Sequence, residues 1–138
     1  MLLMPKRTKF AKVQKGKIQR IDTTSIDMHF GSYALKALEP GKITAKQIEA
    51  FRKIITRKIK KIGKLWIRIF PNIPISKKPA EVRMGKGKGA TDHWACRIAT
   101  GKVLFELEGL PNKRAESVLL AGSKKLPIKT KVIAKPIN

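Results

Sequence analysis

The sequence predicts an α+β fold: a two-layer sandwich with two helices packed on one face of a mostly antiparallel sheet, a basic N-terminal arm and an extended Gly/Lys loop. Three observations lead there. Residues 44–63 repeat apolar side chains at helical spacing, several other segments alternate apolar and polar residues in steps of two, and the elements run strand, helix, strand, hairpin, helix, strand. A chain of 138 residues is expected to form a single domain, 1–138, with a modest core. Within it, residues 1–20 form the arm and 76–92 the loop.

The arm carries Lys6, Arg7, Lys9, Lys12, Lys15, Lys17 and Arg20 and no acid. Like charges without an apolar stripe read as an extended basic segment; a frayed terminus or an organelle transit peptide has the same composition. "FGSYALKALEPG" (30–41) reads as a strand that ends in a Pro40-Gly41 turn. Thr44 is a good helix N-cap, and Gln47 three residues later completes a capping box. Ala45, Ile48, Phe51, Ile55, Ile59 and Ile62 then form one stripe, with Gly63 at C′ and Lys58, Lys60 and Lys61 in the last turn, where the helix dipole favours cations. The β-branched isoleucines weaken intrinsic helicity, so packing must hold this helix. Its cationic face (Lys46, Arg52, Lys53, Arg57, Lys60) is either solvated or turned to phosphate, and the net charge favours phosphate.

In "KLWIRIFP" (64–71), Leu65, Ile67 and Ile69 face one way and Trp66, Arg68 and Phe70 the other, so a strand is predicted that stops at Pro71. A Pro-rich stretch, 71–79, leads to the loop. "HWACRIATGKVLFELEG" (93–109) reads as a β-hairpin turning at Thr100-Gly101. Trp94, Cys96, Ile98, Val103, Phe105 and Leu107 are its inward positions, and Glu106 and Glu108 point out. Asn112 is expected to cap a second helix to about Lys125, with Ala115, Val118, Leu119 and Gly122 inside; glycine there costs about 1 kcal/mol against alanine. "PIKTKVIAK" (127–135) is a final strand.

Charge bounds the function. Thirty-two Lys and Arg against nine Asp and Glu leave +23, and the sequence pI is near 10.7. Self-repulsion of that size opposes compaction unless a polyanion neutralises it. Nucleic acid is favoured because each phosphate contact releases a counterion, with an anionic membrane surface as the rival. No membrane insertion is expected: the longest apolar run, "LWIRIF", is broken by Arg68. "MLLMPKRTKF" lacks the apolar stretch of a secretory signal. Cys96 is alone, so no internal disulfide can form and a reducing compartment is expected. Lys outnumbers Arg 24 to 8 and Ile occurs 17 times, a bias that suggests an AT-rich genome.

The stretch "KPAEVRMGKGKGATDHW" (78–94) packs three glycines and three cations between Arg83 and Gly89. A phosphate-binding P-loop is excluded because no Ser or Thr follows Lys88 and a strand, not a helix, comes next; the dinucleotide fingerprint fails likewise. Alternating Gly and Lys can instead press backbone against a ligand while ammonium groups and N–H donors meet phosphates. Arg83 can stack on a base or grip a phosphate with both guanidinium edges. A flexible solvated loop has the same composition. His29, His93 and Cys96 lack zinc-ligand spacing, Cys96 counts as a small apolar residue, and Asp92 and His93 have no nucleophile at motif spacing. No enzyme, metal or cofactor is expected.

"PKRTKF" (5–10), "ITAKQIEAFRK" (43–53), "WIRIFP" (66–71), "KKPAEVRMGKGKG" (77–89) and "KLPIKTKV" (125–132), in that order, closely resemble the bacterial-type ribosomal protein L-sixteen family. The similarity runs from Pro5 to about Lys135. It implies a two-layer α+β protein bound to large-subunit rRNA near the aminoacyl (A) site, with arm and loop reaching toward rRNA and tRNA, and late entry into subunit assembly. The resemblance carries over Lys6, Arg7 and Lys9 of the arm as rRNA-binding; Lys12, Lys15, Arg52, Arg57, Lys60, Lys61, Lys77 and Lys78 are expected to join them on the ground of charge. The loop facing rRNA and tRNA is Arg83, Met84, Gly85, Lys86, Gly87, Lys88 and Gly89. Implied partners are large-subunit rRNA, A-site and also P-site tRNA, and neighbouring ribosomal proteins; no homo-oligomer is expected. An off-ribosome nucleic-acid-binding factor is the rival, but no recognition helix, dimer motif or aromatic stacking set supports it.

Three stretches depart from the family pattern. "QRIDTTSIDMH" (19–29) is less basic and glycine-rich than usual, Gly122 replaces an expected alanine and should loosen the second helix, and "LPNKRAESVLLAG" (110–122) starts less acidic. Because the match begins four residues in, the arm is not expected to be a transit peptide. Likeness to alphaproteobacterial members and the AT-type bias point to a mitochondrially encoded protein of the matrix; bacterial cytoplasm is the alternative.

Overall fold

Seven strands and two helices make up residues 3–136, the part of the chain that the computed structural model describes. In order they are β1 (Tyr33–Ala37), β2 (Gly41–Thr44), α1 (Ala45–Ile59), β3 (Lys64–Ile67), β4 (Ile73–Ser76), β5 (Thr91–Ile98), β6 (Val103–Glu108), α2 (Asn112–Ser123) and β7 (Thr130–Ala134). All strand pairs are antiparallel, and the fold is α+β with both helices packed against sheet. The expected single sheet is divided in two: a four-stranded sheet ordered β3-β6-β1-β7 and a three-stranded one ordered β2-β5-β4.

Helix α1 starts as its sequence dictates. The Gln47 N–H donates to the Thr44 hydroxyl at 3.3 Å and the Thr44 N–H to the Gln47 side chain at 2.9 Å, closing the capping box. Ile48, Phe51, Ile55 and Ile59 are buried along one stripe. The helix ends earlier than predicted. Lys60 turns the chain out of the helix with a positive φ of 52° and ψ of -129°, and its N–H caps the Thr56 carbonyl at 3.0 Å. Gly63 is therefore not the terminator, Ile62 is 63% exposed, and Lys60 and Lys61 lie beyond the last turn.

Strands β5 and β6 do not form a hairpin. They part at Thr100-Gly101 and enter different sheets, because β1 holds the turn: the Gly101 N–H donates to Ala37 O at 2.8 Å and the Ala37 N–H to Lys102 O at 2.9 Å. Strand β6 lies inside the four-stranded sheet, and Val103 through Leu107 are all buried. Glu106, expected to point outward, is fully buried. It accepts hydrogen bonds from the N–H groups of His29 (3.2 Å), Phe30 (2.6 Å) and Gly31 (2.7 Å) and from Arg68 Nη1 (2.9 Å). Residues 29–31 thus bend over β6 instead of beginning the first strand, which starts only at Tyr33. The stretch before them is also tied down: Asp22 caps the Thr24 and Ser25 N–H groups at 2.9 and 3.0 Å, and the Val103 N–H reaches Ser25 O at 2.8 Å.

The core centres on Phe51 of α1, stacked on Phe105 of β6 with ring centroids 3.8 Å apart. Helix α2 crosses α1 at Gly122, where an added Cβ would lie 2.6 Å from Phe51 Cε2 and 2.8 Å from Ile55 Cδ1. Gly122 does not loosen the fold; it lets the two helices meet. Its helix runs to Ser123 rather than Lys125, and no side chain caps its start at Pro111.

Candidate nucleic-acid interface

Residues 3–20 contain no helix or strand, and Lys6, Arg7, Lys9, Lys12 and Lys15 are all exposed. The arm nevertheless has a fixed course across the three-stranded sheet. Lys12 Nζ donates to Lys88 O at 2.9 Å, and Lys88 Nζ donates back to Val13 O at 2.6 Å. Thr91 Oγ1 donates to Ala11 O at 3.1 Å. Further along, Arg97 Nη2 donates to Gln14 O and, at 3.1 Å, to Lys15 O, while Lys42 Nζ reaches Lys15 O at 3.2 Å. Two segments that the sequence treated as separate are therefore laced together, arm to loop.

The loop occupies 77–90, between β4 and β5. At its neck the Lys77 N–H donates to Ala90 O at 3.0 Å, and a Cβ on Gly89 would sit 2.7 Å from Lys77 O. At the tip, Gly85, Lys86 and Gly87 have φ of 102°, 59° and 89°, and a Cβ on either glycine would meet nothing within 4 Å. The glycines thus serve two purposes: close approach at Gly89, left-handed backbone at Gly85 and Gly87. Lys86 shares that conformation without a glycine's freedom, a local strain that packing does not impose. Arg83, Lys86 and Lys88 are exposed and Met84 is 97% exposed, while Lys78 Nζ donates to Gly85 O and braces the tip.

The expected cations on α1 divide. Arg52 is engaged by Glu49, with contacts of 2.6 and 2.9 Å, and this bond holds the Glu49 carboxyl below its ordinary range. Arg57, Lys60 and Lys61 are exposed at the far end, about 20 Å along the helix from Lys46. Lys46 and Lys53 share a groove of about 730 Å³ with Leu3 and Met4 of the arm and Asp92, His93 and Trp94 of β5. The structure joins arm, loop and the first turns of α1 into one surface; the far end of α1 is not part of it.

Lys42 and Arg97 escaped the sequence reading. They are partners across β2 and β5, and only a recognised β2 would have paired them. Burial lowers the Lys42 ammonium, and Arg97 and Lys15 push it the same way. Cys96 beside them is buried, and burial raises its thiol. Among the described residues no three His, Cys, Asp or Glu side chains gather to hold a metal ion, and no helix is long and apolar enough to cross a membrane.

The profile of the family described as ribosomal protein L16p/L10e matches residues 5–133. The large ribosomal subunit protein uL16 of Maricaulis maris (strain MCS10) is 52% identical over 134 residues, covering 97% of this chain and 98% of that protein. The match takes in the arm, the loop and both sheets, and the chain belongs to the ribosomal protein L16p/L10e family.

Proposed function

We propose that the chain is a structural constituent of the large ribosomal subunit that binds large-subunit rRNA beside the A site and contacts tRNA there through its loop. As a ribosomal protein it is structural, not an enzyme, and its partners are rRNA and other ribosomal proteins. One observation carries the finer reading. The bonds between Lys12, Val13 and Lys88 lace an arm with seven cations to a loop (77–90) with five, and Glu81 is the only acid in those two segments. None of these cations packs in the core, so their charge is free for phosphate.

The work divides along the strip. Arm cations Lys6, Arg7, Lys9, Lys12 and Lys15, with Lys77 and Lys78 at the loop neck, neutralise rRNA phosphates and set the orientation of the domain. Arg52, Arg57, Lys60 and Lys61 make a second, separate rRNA contact along α1. The loop tip, Arg83 to Gly89, extends to the A-site tRNA, its left-handed backbone exposing N–H donors and its Arg83 guanidinium free to stack or chelate. The P-site tRNA is a further partner within reach of the same surface in this reading.

Arg83→Ala with Lys86→Ala tests it, since neither side chain takes part in the arm–loop bonds. Subunits carrying the variant should bind A-site tRNA about tenfold more weakly, a loss of about 1.4 kcal/mol, while the melting temperature of the free protein stays unchanged. Unfolding of the variant, or tRNA binding and translation at wild-type levels, would sink the assignment. The Lys and Ile bias supports a mitochondrial ribosome as the site of action, with a bacterial ribosome as the alternative. Recovery of the chain in large subunits from purified mitochondria decides between them.

A further inference from the structure

We infer that the cleft between the arm and the three-stranded sheet is a site for one phosphate group of an RNA backbone, held by Lys15, Lys42, Lys88 and Arg97. This rests on the rRNA-binding reading and adds an anchor distinct from the exposed loop tip. The cleft has a volume of about 280 Å³, and those four cations line it without a single carboxylate. Lys42 and Arg97 stand directly opposite each other on adjacent strands, where like charges repel.

Their present partners do not offset this. Lys42, Lys88 and Arg97 share neutral backbone carbonyls of residues 13–15. A carbonyl returns part of the hydration that a cation loses but none of its charge. Two more donors on residues lining the cleft, Arg97 Nε and Ser76 Oγ, are buried with no hydrogen-bond partner. A tetrahedral oxyanion supplies what is lacking: several acceptors at once, for a guanidinium edge, a hydroxyl and ammonium groups, together with the compensating charge. A phosphodiester suits the position better than a free ion, since the arm continues past the cleft with Lys17 and Arg20 and can follow a strand. Filling the cleft then fastens residues 13–15 to β2 and β5, so the arm is locked by the RNA it binds.

The probes are inorganic phosphate and a large-subunit rRNA fragment, each with the full chain. Millimolar phosphate should slow tryptic cutting after Lys17 several-fold relative to chloride at equal ionic strength. Lys42→Gln and Arg97→Gln should abolish that protection, and each should reduce the slope of log affinity for rRNA against log salt by about one. Lys15→Gln, on the arm and outside the folded core, should do the same, so the test survives if a strand variant fails to fold. Equal cutting in phosphate and chloride, with an unchanged rRNA slope in Lys15→Gln, overturns the site. Protection by phosphate with no change of rRNA slope overturns RNA as its source. Wild-type protein that is protected by phosphate yet fails to bind rRNA overturns the proposed function, along with RNA as the occupant, and leaves only the cleft's phosphate chemistry standing.

Discussion

Glu106 holds a full charge at zero exposure because three backbone N–H groups and Arg68 converge on it. Burial opposes its ionisation, but those donors outweigh burial and its carboxyl titrates below the ordinary value of 4.5. A depressed folded value makes the unfolded chain the stronger proton binder across that interval. The stabilisation is therefore whole above pH 4.5 and is lost as pH falls through the folded value. Asp22, lowered chiefly by the Ser25 N–H, acts in the same direction. Glu106→Gln should cost about 3 kcal/mol at pH 7, since it leaves Arg68 unpaired, and should flatten the acid limb of a urea-unfolding series. Equal pH dependence in both proteins would show that the charge is not what matters. Gly122→Ala sets two effects against each other. Helix propensity favours alanine by about 1 kcal/mol. The added Cβ, however, meets a Phe51 ring already stacked on Phe105 and unable to withdraw. Overpacking should win, for a net loss of about 1–2 kcal/mol. A thermal melt gives the sign directly.

At the scale of elements, what was legible depended on how local its cause is. Helix α1 declares itself through Thr44, Gln47 and a stripe that packing then buries. Strands β2 and β4 do not: β2 follows directly on the Pro40-Gly41 turn and runs into the α1 cap, and β4 contains Pro74, which an edge strand tolerates. Alternation in "VLFELE" identifies a strand but not its partners, so on sequence alone β6 pairs with β5 and Glu106 points outward. Its real surroundings, β1, β3 and residues 29–31, are distant in sequence. The interface follows the same rule. Cations of the arm and loop stand out because no apolar pattern claims those stretches, whereas Lys42 and Arg97 meet only through a long-range strand pairing. The loop glycines give an element-level prediction. Gly87→Ala should strain the tip by about 1–2 kcal/mol without altering the neck. Gly89→Ala should force Lys77 aside and expose Lys77 and Lys78 to trypsin faster than Gly87→Ala does. The reverse order would mean that the neck is not what Gly89 shapes.

For the whole molecule, +23 on 138 residues makes the free protein its own adversary. Raising salt from about 10 to 150 mM shortens the screening length from about 30 to 8 Å, so the melting temperature should climb over that range. A melting temperature insensitive to salt would mean that arm and loop charges lie too far apart to repel.

The division into two sheets carries a kinetic consequence. The chain visits the four-stranded sheet at β1, leaves for β2, returns at β3, leaves again for β4 and β5, and comes back at β6 and β7. The three-stranded sheet has all its strands once β5 is made, whereas every pairing of the four-stranded sheet involves β6 or β7, so β1 must wait for strands seventy or more residues downstream, as in Leu35 against Phe105 and Val132. Such non-local pairing points to a slow search, milliseconds to seconds rather than microseconds. On a ribosome still emitting the chain, β1 has no neighbour until β6 emerges and lacks its second until β7 follows.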